Sequence, residues 1–115
     1  MDGRVQLPVI NWIKENYSVD FVDVITEAGM DSVLSEQKDI AEVLRSIKIS
    51  VDINKSKRLF VVGHYDCRGN PVEESAHRQQ ISDAVSRLKA YWPRHEIVGL
   101  WVNKAWQVEI VSEAA

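Results

Sequence analysis

His64 and Cys67 stand three residues apart in Val61-Val62-Gly63-His64-Tyr65-Asp66-Cys67, directly after a continuous apolar run. An imidazole nitrogen and a thiolate sulfur are both good zinc donors, and this spacing lets them converge on one ion from a tight turn. Alone, the pair is half of a tetrahedral site. Read without further context, the favoured reading is that His64 is a loop histidine and Cys67 a small buried thiol. Other uses of the thiol have less support. A phosphatase-type loop needs an arginine several residues after the cysteine, whereas Arg68 follows it immediately. A thiol-dependent hydrolase needs a base set against the sulfur, which spacing does not supply. There is no P-loop and no glycine-rich dinucleotide fingerprint.

The elements around this turn must position it. Leu59-Phe60-Val61-Val62 within Arg58 to Gly63 suits a central parallel strand covered on both faces, and ligands in open α/β sheets bind at the carboxyl ends of such strands. After the turn, Asn70-Pro71 reads as an N-cap and first-turn proline. The helix that follows carries Ile81, Ala84, Val85 and Leu88 on one face and runs to about Tyr91, where Pro93 stops it. Upstream, residues 5–16 read as a helix with Pro8 in its first turn, and Val19 to Ile25 as a β-branched strand ending in an Ala28-Gly29 turn. Ser35 to Val51 reads as a helix striped by Ile40, Val43, Leu44 and Ile47. Ile97 to Val102 and Trp106 to Val111 read as strands joined by a hairpin at Asn103-Lys104-Ala105. Alternating helices and strands predict an α/β fold: a mostly parallel sheet flanked by helices, with an antiparallel edge strand, in one domain over residues 1–115.

Composition narrows the function. At 115 residues, 45% apolar and 27% charged, the chain has the profile of one modest globular domain. A net charge of −3 without a basic run gives no support for nucleic-acid binding, and no apolar stretch is long enough to span a bilayer. One cysteine excludes an intramolecular disulfide, which makes a reducing, cytoplasmic setting the default expectation.

With this order of elements, Gly63-His64-Tyr65-Asp66-Cys67 resembles the G-H-x-x-C motif of the β-class carbonic anhydrases, which supplies two of that family's three protein zinc ligands. Val22 to Gly29 resembles the family's strand ending in an Ala-Gly turn, and Ile97 to Val111 its last two core strands. Met1-Asp2-Gly3-Arg4 is similar to the tail of the family's C-x-D-x-R motif, with Asp2 and Arg4 in the Asp and Arg places. The resemblance implies Zn2+ held by His64 and Cys67, reversible hydration of carbon dioxide to bicarbonate by a zinc-bound hydroxide, and a homodimer or higher homo-oligomer. For Asp2 it implies either of two states. Paired with Arg4, it orients the bound hydroxide; released, it closes the remaining zinc position as a ligand.

The sequence departs from the family at two points. The first cysteine ligand, two residues before the Asp, falls ahead of Met1 together with the strand leading to it, and Arg68 stands where glycine usually follows the second cysteine. The expectation is that the gene product begins upstream of Met1; the competing account is a short form that fills the gap by oligomerising or swapping a segment. Two functions from different classes follow: a carbonate dehydratase (a lyase) if the site is completed, or a non-catalytic binding or oligomerising module with a vestigial metal site. A thiol-dependent enzyme using Cys67 is the third. His77 and His95 read as surface residues, and nothing in the sequence favours His77 as a proton shuttle.

Overall fold

The computed structural model describes residues 1–115, with the element order α1 (Gly3–Tyr17), α2 (Met30–Glu36), α3 (Ala41–Asp52), β1 (Arg58–His64), α4 (Glu74–Tyr91), β2 (Glu96–Val102) and β3 (Val108–Ala114). The sheet has three strands in the order β1-β2-β3. β1 and β2 run parallel, with His64 opposite Val102, and β2 and β3 run antiparallel with an irregularity at Gly99/Leu100. The α/β class and the antiparallel edge are as expected, although the sheet is evenly mixed and not mostly parallel.

β2, not β1, is the central strand. Its burial is complete from Ile97 to Val102 because successive side chains enter two cores on opposite faces. Ile97 and Trp101 join Ile81, Ala84, Val85 and Leu88 of α4, with Val33 and Leu34 of α2 and Ile47 of α3. Val98 and Leu100 join Ile13 of α1, with Trp12, Tyr17, Phe60 and Val62 packed around them. Burying each such side chain is worth about 1.5–3 kcal/mol relative to leaving it exposed. α1 therefore covers one face of the sheet and α2 to α4 the other. β1 is covered on both faces, as its apolar run requires, but it is hydrogen-bonded along one edge only.

Several boundaries differ from expectation, each for a local reason. α1 begins at Gly3 because the Asp2 carboxylate caps it, accepting the Arg4 amide at 2.9 Å. This start puts Pro8 in the second turn, where the Arg4 carbonyl loses its usual helical donor. The continuous helix expected over Ser35 to Val51 is interrupted. Asp39 caps the start of α3 through the Ala41 amide at 3.0 Å, and the Arg87 guanidinium donates to the carbonyls of Leu34, Gln37 and Lys38 across the break. Asn70 is not an N-cap; α4 starts after Glu73.

The strand expected at Val19 to Ile25 is absent. The segment has β-branched composition but no neighbouring strand to pair with, so it runs without regular structure. Val19 and Val22 pack on the α1-side core and Ile25 on the other, leaving Phe21 91% exposed. Between this segment and the free edge of β1 lies a groove of about 800 Å³, lined by residues of α1, α3 and β1 as well.

Candidate functional site

Period-two alternation along β1 sends Gly63 toward α2 and α4 and His64 toward α1. The tight turn after the strand puts Asp66 in the left-handed region at φ 56 and returns the chain so that Cys67 is buried. His64 is buried too, and its Nδ1–H donates to the Tyr65 carbonyl at 2.8 Å. A carbonyl can only accept, so in the neutral ring this bond fixes the tautomer and leaves Nε2 as the acceptor, the usual arrangement for a metal-ligating histidine. His64, Cys67 and Asp2 line one small pocket of about 210 Å³, together with Met1, the Ala28-Gly29 turn and Arg68-Gly69.

Asp2 and Arg4 are brought to this pocket by the first turn of α1 and are firmly paired. Arg4 Nε donates to Asp2 Oδ1 at 3.0 Å, and Nη2 donates to Oδ2 at 2.6 Å. The side-chain and backbone hydrogen bonds from Arg4 hold the Asp2 carboxyl far below the ordinary carboxylate range. Arg4 Nη1 reaches the Asp66 carboxylate at 3.1 Å, Nη2 reaches the Asp66 carbonyl at 3.1 Å, and the guanidinium lies 4.8 Å from the centre of the Trp106 ring. The carboxylates of Asp2 and Asp66 push the arginine further above its already high value.

The donor set fits zinc in kind and falls short in number. His64 Nε2 and Cys67 Sγ are suitable ligands, whereas both oxygens of Asp2 are engaged by Arg4. No three His, Cys, Asp or Glu side chains are grouped to hold a metal ion. A catalytic zinc site ordinarily has three protein ligands.

Sequence reasoning missed a second polar cluster behind the turn. His77 is buried, with only 2% of its surface exposed, and is not a surface residue. Its Nδ1 donates to the Asp31 carboxylate at 2.5 Å, and its ring packs on Trp101. Asn70 Nδ2 donates both to Asp31 at 3.0 Å and to Gln80 at 2.7 Å, while the Asn70 amide donates to the Cys67 carbonyl. The available signal was position: His77, Gln80, Ile81, Ala84 and Leu88 share one helical face. His95, before β2, is half-buried.

The fold and site define an α/β protein with an imidazole, a thiol and an Asp–Arg pair at a strand's carboxyl end. The family model described as "Putative carbonic anhydrase" matches residues 1–112, and the chain belongs to that family. No curated protein and no solved structure matches the chain. No helix is long and apolar enough to cross a membrane.

Proposed function

We propose that this chain is a single β-carbonic-anhydrase-like domain that binds zinc through His64 and Cys67 and serves reversible carbon dioxide hydration once a third donor joins them. The observation that carries this reading is the Nδ1-to-carbonyl bond of His64, which leaves Nε2 of the neutral ring as the acceptor in a pocket that buried Cys67 also lines. Zinc, when bound there, would lower the pKa of a water to about 7 and so supply the nucleophile for carbon dioxide.

The chain's own residues set the conditions for that chemistry. Asp2, held ionised by Arg4, remains a hydrogen-bond acceptor over the whole working pH range. The planar Arg4 fork orients it in a way that a lysine would not. The groove beside β1 is where a third donor would enter. An added strand there would satisfy the unpaired edge of β1 and lie beside the irregular 19–25 segment, in a groove that His64 and Cys67 also line. Exposed Phe21, Val24 and Ile53 are further apolar surface that assembly into a homodimer or larger homo-oligomer would cover.

One observation favours the second reading, a non-catalytic binding or oligomerising module: with Asp2 engaged by Arg4, two donors remain. Zinc content per chain and stopped-flow carbon dioxide hydration separate the two. The proposed function expects zinc that is lost in His64→Ala and Cys67→Ser, and a hydration rate that follows zinc occupancy. Metal-free protein with no rate above buffer, after zinc has been supplied, would leave the module reading standing.

A further inference from the structure

Arg4 is held from more sides than pairing with Asp2 requires. Beyond Asp2, it touches the Asp66 carboxylate, the Asp66 carbonyl and the face of Trp106. Asp66 and Trp106 both have left-handed backbones, at φ 56 and φ 59, a conformation that residues with a Cβ rarely adopt. Such conformations persist where the surroundings over-determine them.

The β2–β3 turn is built to hold Trp106 in this way. The Trp106 amide donates to the Asn103 carbonyl at 2.9 Å, and the Asn103 side-chain oxygen accepts the amides of Ala105 and Gln107 at 2.9 and 3.0 Å. Asn103 Nδ2 donates to Glu109, which also accepts from Arg78 of α4. Tyr65, its amide bonded to the Val102 carbonyl, packs edge-on against the Trp106 ring. A chain of contacts therefore runs from α4 through the hairpin to the guanidinium and ends on Asp2.

We infer that Trp106, against the guanidinium face, and Asp66, on Nη1 and Nη2, are positioning residues that clamp Arg4, and so commit the Asp2 carboxylate to Arg4 instead of to a metal. The clamp itself is a property of the metal-free chain; its consequence for the metal rests on the proposed zinc site. With the ring removed, the guanidinium keeps its charge but loses the surface that fixes its plane, and Asp2 becomes free to turn toward His64 and Cys67.

The test has two arms. In zinc-free protein, solvent exchange of the Arg4 Nε–H, followed by NMR, is expected to accelerate at least tenfold in Trp106→Ala, to stay near wild type in Trp106→Phe, and to rise by a smaller factor in Asp66→Asn. In the second arm, Co2+ is expected to bind at least tenfold more tightly to Trp106→Ala than to wild type, with the gain abolished by Asp2→Asn. If Trp106→Ala does not fold, Trp106→Leu and Asp66→Asn carry both readouts. Unchanged Arg4 exchange in a folded variant overturns the clamp. Altered exchange with no Co2+ bound by any variant supports the clamp and overturns the zinc reading alone.

Discussion

On the α4 side of the sheet, Asp31, Asn70 and His77 meet in a network closed to solvent; on the α1 side, Asp2, Arg4 and Asp66 meet in one that is largely open to it. Both networks grip the turn that carries His64 and Cys67, one through Gly63 and Asn70, the other through Asp66. Their energetics differ in kind. A buried donor that loses its acceptor keeps its desolvation cost, so breaking the inner network costs the fold directly. An exposed ion pair trades readily with water, so the outer network can rearrange without unfolding the chain. The chemistry proposed here needs that division: a fixed turn that presents the donors, and a carboxylate whose commitment can be set by its neighbours.

The sharpest way to break the comparison is Asp31→Ala. It orphans the donors of His77 and Asn70 together, in a place water does not reach. The expected loss is about 3–5 kcal/mol, on the scale of breaking a buried pair. Denaturant unfolding measures it. Because Asn70 is bonded both to Asp31 and to the Cys67 carbonyl, the Cys67 thiol should also become more accessible to alkylating reagents under native conditions. A loss below about 1 kcal/mol, the range of exposed pairs, would erase the distinction between the two networks.

Gly63→Ala probes the same region through shape. A Cβ there would lie 2.6 Å from the Asp31 carboxylate and 2.9 Å from Ile81 Cδ1, so Asp31 must shift or the strand must move. Overpacking of this kind costs about 1–3 kcal/mol. The expected result is a lowered unfolding midpoint with an unchanged denaturant slope.

Local patterning made much of this architecture legible. The continuous apolar run before His64, the helical stripe of α4 and the turn residues after Val102 each reveal their element locally, although the last strand begins at Val108 and not at Trp106. The Val19 to Ile25 segment misled for the complementary reason: β-branching describes what a strand prefers, while a strand exists only where another backbone pairs with it. The burial of His77 was readable from the helical face it shares with Ile81, Ala84 and Leu88, whereas its contact with Asp31 was not, because it joins positions far apart in sequence. The Asp2–Arg4 pair was readable because a short motif spacing contains it. The hold of Trp106 on Arg4 was not, since it depends on a left-handed turn at the opposite end of the chain.

The weakest of these effects lies at the outer end of the exposed network. Glu109 is held below the ordinary carboxylate range first by its hydrogen bond from Asn103 and then by that from Arg78. A carboxylate whose folded pKa is depressed stabilises the fold above its unfolded pKa and loses that contribution as pH falls through the folded value. The unfolded value is about 4.3, so the contribution is complete at neutral pH and is lost progressively on acidification below that point. Glu109→Gln should therefore cost under about 1 kcal/mol at pH 7, since Glu109 and Arg78 are both partly exposed. The difference from wild type should shrink toward zero as the pH is lowered into the acid range, which paired denaturation curves would follow. A pH-independent difference would mean that Glu109 supports the Asn103 turn by shape and hydrogen bonding alone. The route from α4 to Arg4 would then be steric and not electrostatic.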